Sequence, residues 1–381
     1  MDTTKLPSIK RNILLNPGPA TTTDSVKYAQ VVPDICPREE EFGDIMKQLG
    51  RDLVDIVHGG DAFTAVLFCG SGTINIDATV SSLVPANKKI LIVNNGAYSN
   101  RAAEVCDYYH MDYVNLKLDI TQPADVSKVR EALENDADIA AVYCCHNETG
   151  TGVLNPIREI GAVAHEFKCT MIVDTTSTYA MIPIDMEKDN LDFVMSSAQK
   201  GIMAFTGLSY TIGRTSILEA SKDYPTRSYY TNLYMQYSFI KKTGQMHFTP
   251  PVQTIYAARQ GIKEYFEEGE QPKWARHQAV WQALVDGSEA LGFKLLIKKE
   301  YQSKLVVSLK YPDDPNFSFE KMHDLIYEQG FTIYPGKVAD LPSFRLCALG
   351  AITPDDIADF FVAMKAALKR MNVALPVQYN D

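Results

Sequence analysis

The chain has 381 residues, 46% of them hydrophobic and 22% charged, with a formal net charge of −10. That length suggests two domains, or one large domain with an appendage. The acidic balance argues against nucleic acid or an anionic membrane as the main partner, though not against a small anion that meets a local cluster of cations. Seven cysteines, five of them (Cys69, Cys144, Cys145, Cys169 and Cys347) within apolar strand-like runs, read as reduced thiols rather than a disulfide frame. Adjacent Cys144 and Cys145 point to opposite faces of a strand, so no metal site is expected. Met1 to Leu6 lack a signal-peptide core and no apolar run reaches membrane-span length, which predicts a cytoplasmic protein without a membrane partner.

In chain order, Asn12 to Ala20 contains Pro17, Gly18 and Pro19, which forbid a helix and predict an extended, turning arm. Glu39 to Val57 carries apolar residues at Phe42, Ile45, Met46, Leu49, Leu53, Ile56 and Val57, the spacing of an amphipathic helix. Strand-like runs follow at Ala65 to Cys69, Ile90 to Val93, Tyr113 to Leu116, Ile139 to Cys144, Thr170 to Val173 and Leu191 to Met195. Helical segments lie between them, among them Ile74 to Val84, Ala124 to Glu134 and Ile157 to Phe167. This alternation predicts an α/β fold with a mostly parallel sheet covered on both faces. Leu208 to Ile212 follows the last strand too closely for a helical crossover and is read as antiparallel.

From Tyr224 to Pro251 the chain is aromatic and polar without clear periodicity, the character of a functional irregular segment. A long helical zone runs from Val252 to about Leu291. Beyond it the pattern tightens: strands at Lys294 to Ile297, Lys304 to Leu309, Thr332 to Tyr334 and Phe344 to Ala348, with helices at Phe319 to Gln329 and from Pro354. The predicted organisation is an arm over residues 1–20, a large domain over 21–268 and a smaller C-terminal α+β domain over 269–381. The boundary falls at the breaker-rich Glu268 to Pro272.

The chemistry gathers after strands. Phe193-Val194-Met195-Ser196-Ser197-Ala198-Gln199-Lys200-Gly201 places one lysine just past a buried run, where it can reach a pocket; by itself it also reads as a surface lysine. Gly70-Ser71-Gly72-Thr73 opens a helix and can cradle an anion, or act only as an N-cap. Tyr98, in Asn95-Gly96-Ala97-Tyr98, can lie against an aromatic ring or plug the sheet's end. His146-Asn147-Glu148-Thr149-Gly150-Thr151-Gly152 is too polar for a mere connection. Asp174 ends another strand and could pair with a pyridine nitrogen or cap a helix. Arg345, between Phe344 and Leu346, needs an anionic partner, either a substrate or a structural carboxylate. An amine, a carboxylate and a phosphate cradle are the set a pyridoxal 5'-phosphate site requires, and open α/β sheets bind ligands where these motifs converge.

These motifs resemble those of the class V aminotransferases, pyridoxal-phosphate enzymes of fold type I. The likeness runs nearly end to end, from N-P-G-P at Asn16 to Pro19 through S-S-A-Q-K at Ser196 to Lys200 and F-R-L at Phe344 to Leu346. Thr243-Gly244-Gln245-Met246-His247-Phe248-Thr249-Pro250-Pro251 looks like the T-G-Q-W-R-F-T-P-P stretch of the 2-aminoethylphosphonate:pyruvate subfamily, departing from it at Met246 and His247. The resemblance implies that Lys200 forms an imine with the cofactor's aldehyde and shuttles the proton, while Asp174 pairs with the ring nitrogen. It implies Tyr98 and Thr176 on the ring's two faces and Thr149 on its phenolic oxygen. Ser71, Gly72, Thr73 and Gln199 would hold the phosphate, helped by Thr249 from a partner subunit. Arg345 would hold the substrate's anion, with Gly18 beside it in the arm and Arg38 as a further contact. A homodimer with shared active sites is implied.

The expected reaction moves the amino group of 2-aminoethylphosphonate to pyruvate, or the reverse, between small-molecule donors and 2-oxo acids. Alternatives are an alanine–glyoxylate or serine–pyruvate aminotransferase, a cysteine desulfurase, or a relative that binds cofactor without turnover. A desulfurase needs an exposed, mobile cysteine, and Cys347 sits in an apolar strand.

Overall fold

A computed structural model describes residues 6–336 and 341–380; the first five residues of the predicted arm, and Asp381 at the far end of the C-terminal unit, lie outside them. In chain order the elements are β1 (Ile13–Leu14), α1 (Asp24–Tyr28), α2 (Glu40–Asp55), β2 (Phe63–Gly70), α3 (Thr73–Ser82), β3 (Lys89–Asn94), α4 (Ala97–Tyr108), β4 (Tyr113–Lys117), α5 (Val126–Asn135) and β5 (Ile139–Cys145). A short hairpin, β6 (Asn147–Glu148) and β7 (Val153–Leu154), precedes α6 (Ile157–Glu166), β8 (Thr170–Asp174), β9 (Phe193–Ser197), β10 (Gly207–Arg214), α7 (Thr215–Ala220) and α8 (Leu233–Thr243). Then come α9 (Val252–Glu268), α10 (Glu270–Ala290), β11 (Val306–Lys310), α11 (Phe319–Tyr327), β12 (Phe331–Thr332), β13 (Tyr334–Pro335), β14 (Ser343–Cys347) and α12 (Pro354–Arg370).

Seven strands form the main sheet in the order β2-β10-β9-β8-β5-β3-β4. All neighbouring pairs are parallel except the two made by β10, which runs antiparallel to both β2 and β9. Because β10 opposes both, β2 points the same way as β9, and the carboxyl ends of β2, β3, β5, β8 and β9 share one edge. The two faces are filled by the strand period of two. Leu91, Val93, Val142 and Val173 pack with Leu49, Ile160 and Ile262 on one side. Ile90, Ile92, Ala141 and Ile172 pack with Val80, Cys106 and Leu233 on the other.

The C-terminal part surrounds a separate apolar cluster containing Trp281, Leu284, Phe344, Phe360 and Met364, which also takes in Ile13 and Leu15 of the arm. Its three-stranded sheet has the order β11-β14-β13. Helix α12 is well specified at its start: Pro354 follows a reciprocal capping box between Thr353 and Asp356.

Three expectations change. The segment 224–251 contains α8, started by the Asn232 side chain on Met235 N–H and stopped by Gly244 at φ 70°. The helical zone is two helices, broken where Gly269 adopts φ 84°. Lys294 to Ile297 is not a strand: only a single bridge joins Leu295 to Leu309. No helix among the described residues is long and apolar enough to cross a membrane. All seven cysteines are free thiols.

Candidate active site

The common carboxyl edge holds a cavity of about 120 Å³ lined by residues from every motif that follows a strand, including Gly72, Tyr98, Thr149, Asp174, Gln199 and Lys200. A larger concavity of about 700 Å³ lies elsewhere, between α2, β2 and the end of α8, and contains none of these groups. Asp174 is only 4% exposed. Its Oδ1 accepts the Thr176 N–H at 2.8 Å, an Asx turn rather than a helix cap, and its Oδ2 lies 3.5 Å from the Tyr143 hydroxyl. Lys200 Nζ stands 6.0 Å from the centre of the Tyr98 ring.

Tyr98 owes its position to Glu148. The buried Glu148 carboxylate accepts N–H bonds from Tyr98 (3.1 Å) and Ser99 (2.6 Å), closing the N-terminus of α4. Burial raises the Glu148 pKa while these bonds oppose the rise. The approach requires Gly96, whose Cβ would come within 2.4 Å of the Glu148 carboxyl. Beside it, buried His146 is pushed down to about 4 by desolvation and stays neutral, with Nδ1 2.9 Å from Thr178 Oγ1.

The arm closes over the lysine. Gly18 has φ 129°, and a Cβ there would lie 2.7 Å from Lys200 Cε, so both backbone and space call for glycine. Ala20 N–H donates to the Gln199 carbonyl at 2.8 Å and fixes the arm against the same turn.

Arg345, on β14, is 1% exposed. It donates through Nε and Nη2 to the Pro335 carbonyl (3.0 and 2.8 Å) and through Nη1 to the Thr149 carbonyl (2.9 Å). It pairs with no carboxylate among the described residues. Thr149 therefore joins the cavity to the arginine through its backbone. Ser71 is exposed at the lip and does not line the cavity, whereas Thr73 does.

Of the expected contacts, Ser71, Gly18, Arg345, Arg38 and Thr249 do not line this cavity. The Arg38 guanidinium donates to the carbonyls of Met246 (2.6 Å) and His247 (3.1 Å). Thr249 lies on that same segment, exposed. Conversely, Arg101, Asn147 and Ser177 line the cavity without having been singled out. Arg101 had a readable signal, since it stands three residues after Tyr98 on the same helical face.

Four buried atoms on residues that line this cavity make no hydrogen bond among the described residues: Asn147 Oδ1, Thr149 Oγ1, Thr176 Oγ1 and Gln199 Oε1. Each would cost about 1–3 kcal/mol if left unpaired, so their grouping indicates a polar ligand. Pyridoxal 5'-phosphate fits this donor set, with an amine for its aldehyde, a buried carboxylate for its ring nitrogen, an aromatic face, and a helix N-terminus for its phosphate.

A mostly parallel sheet presenting that set at its carboxyl edge defines a pyridoxal-phosphate-dependent transferase of fold type I. Residues 24–352 match the family described as Aminotransferase class-V. The chain belongs to this family and is a pyridoxal-phosphate-dependent transaminase acting on small molecules. It is 35% identical over 361 residues to a 2-aminoethylphosphonate–pyruvate transaminase of Phocaeicola vulgatus, covering 94% of this chain and 99% of that one. A protein of the same name from Cupriavidus necator is 34% identical over 364 residues, covering 95% and 96%. Among solved structures, ureidoglycine–glyoxylate aminotransferase from Bacillus subtilis superposes with TM-score 0.88 at 19% identity, covering 97% of this chain and 96% of that one.

Proposed function

We propose that this transaminase moves the amino group of 2-aminoethylphosphonate to pyruvate, giving phosphonoacetaldehyde and alanine, or runs the reverse. The observation that carries this reading is the end-to-end likeness to relatives bearing that name. Arg345 supports it, as a buried guanidinium with no carboxylate partner among the described residues and with N–H donors beyond the three in use.

Bound in the cavity, the cofactor would supply an aldehyde that takes up the amino group and a ring that withdraws electrons from the substrate carbon. The chain's residues do the rest. Lys200 Nζ would be the amine that holds the aldehyde, and it is placed to carry a proton to and from the substrate carbon. Asp174, held by the Thr176 N–H and Tyr143, would keep a proton on the ring nitrogen. Tyr98 and Thr176 would confine the ring, Thr149 Oγ1 would bond its phenolic oxygen, and Gly72, Thr73 and Gln199 would hold the phosphate, with Ser71 reaching it from outside the cavity lining.

We read the chain as an arm (residues 1–20), a cofactor-binding domain (21–268) and a smaller domain (269–381), in a cytoplasmic homodimer. Exposed Thr249, beside the exposed rings of Tyr229 and Tyr230 that contact Phe248, would complete the partner's phosphate site. A single-chain mass for the active enzyme in solution would remove the dimer.

Alanine–glyoxylate or serine–pyruvate transamination is the second reading, favoured by Met246 and His247 where the phosphonate subfamily has Trp and Arg. Desulfurase chemistry fits poorly, because burial pushes the Cys347 thiol up to about 12. An amino-donor screen on the holoenzyme decides. Bleaching of the visible cofactor band by 2-aminoethylphosphonate is expected, and alanine, the donor of the reverse direction, should bleach it as well; bleaching by alanine or serine with none by 2-aminoethylphosphonate transfers the assignment to the second reading.

A further inference from the structure

The charge balance of the cavity contains one cation that the roles above leave idle. Its charged lining residues are Asp174, Lys200 and Arg101. Lys200 serves the aldehyde and Asp174 the ring nitrogen. A phosphate monoester carries roughly −1.5 to −2 charges near neutral pH, and the N-terminus of α3 offers only about half a positive charge. The hydroxyls and amide near it are neutral.

Arg101 stands where that deficit falls. Its Nη1 donates to Thr73 Oγ1 at 3.0 Å, which fixes the guanidinium on the first residue of α3. Its Cζ lies 5.2 Å from the Tyr98 ring centre, a stacking contact that orients the planar fork. It pairs with no carboxylate among the described residues. The N-terminus of its own helix is already closed by Glu148, whereas α3 has no side-chain cap. Close by, Gln199 Oε1 is buried and without a partner.

We propose that Arg101 is the charge partner of the cofactor's phosphate, joining the α3 N-terminus to the aromatic face of Tyr98. This assignment rests on the cofactor reading of the cavity. It separates two anion sites by residue: Arg101 for the phosphate of the cofactor, Arg345 for the anion of the substrate.

The test compares pyridoxal 5'-phosphate with pyridoxal, which has the same aldehyde and ring but no phosphate. Full-length protein is stripped of cofactor and titrated with each, following the visible band, for wild type, Arg101→Met and Arg101→Lys. The expected result is a Kd for pyridoxal phosphate raised about 10–100-fold in Arg101→Met, with pyridoxal binding unchanged within about twofold. Arg101→Lys should recover part of the loss, because it restores the charge but not the fork. Should the Met variant not fold, the Lys variant gives the same comparison with a smaller gap. Equal weakening of both ligands would make Arg101 merely structural and overturn the proposal. Unchanged cofactor binding with a raised KM for the amino donor would overturn it in favour of substrate recognition. If wild type formed no visible band with either ligand, the cofactor reading itself would fall; a wild-type band with an indifferent Arg101→Met sinks only this assignment.

Discussion

The carboxyl edge of the seven-stranded sheet and the three-stranded sheet of the C-terminal part handle polarity in opposite ways. The first gathers side-chain atoms left without partners, Asn147 Oδ1, Thr149 Oγ1, Thr176 Oγ1 and Gln199 Oε1, around one lysine and one buried carboxylate. The second sends a single guanidinium across, with three N–H groups already anchored on the carbonyls of Pro335 and Thr149. Cofactor binding is thereby spread over many weak contacts, and each can be lost at modest cost. On the proposed reading, recognition of the substrate's anion falls to one residue, Arg345, which its backbone anchors hold rigid.

Removing the reactive amine breaks the first region most severely. Lys200→Ala should lower the half-reaction rate, followed as bleaching of the visible band by amino donor, by at least about 10²–10⁴-fold. Its fold should be intact, because Lys200 is only partly buried and makes no ion pair among the described residues. A variant that keeps more than a tenth of the rate would remove Lys200 from the chemistry.

Arg345→Met sharpens the contrast between the two regions. Losing a charge-assisted contact should raise KM for an anionic donor by about 10–100-fold, with the cofactor Kd changed little. Equal damage to both constants would mean that the two regions are not separable, and that the Thr149 carbonyl transmits the loss into the cavity.

Much of this arrangement was legible in the residues, for identifiable reasons. Strands such as Lys89–Asn94 are short apolar runs whose alternate residues fill opposite faces, so periodicity finds them and the turns that follow them. Helix α8 was hidden because its aromatic and polar residues blur the period, although Asn232 and Gly244 bracket it with readable caps. Lys294 to Ile297 has the composition of a strand, but only a single bridge to Leu309 forms there. Within the site, Lys200 and Asp174 were visible because one follows a strand and the other ends one. The contacts of Arg38 could not be read, because its partners, the carbonyls of Met246 and His247, are about two hundred positions away, and no local pattern encodes such contacts.

The junction between the two regions offers the gentlest test. Helix α10 supplies Trp281 and Leu284 to the C-terminal core, yet in its first turn Lys273, 0% exposed, donates to the Gly201 carbonyl at 2.7 Å, next to Lys200. Burial, reinforced by Arg276 and opposed by Glu268 and Glu264, pushes Lys273 from the ordinary 10.5 down to about 7; the Tyr265 ring lies 5.1 Å from its Nζ. Between about 7 and 10.5 the unfolded chain holds a proton that the folded protein has released, so for this group stability rises with pH across that window. Below about 7 the folded protein carries the full penalty of a buried ammonium. Lys273→Met removes that penalty together with one hydrogen bond, whose net value is about 1 kcal/mol. In urea unfolding the variant should exceed wild type by about 1–4 kcal/mol near pH 6. The gain should shrink through the window and become a deficit of about 1 kcal/mol at its alkaline end. A gap that stays constant with pH would mean that the lysine keeps one protonation state throughout. The link between α10 and the Lys200 turn would then be an ordinary hydrogen bond, and the two regions would meet there without any electrostatic strain.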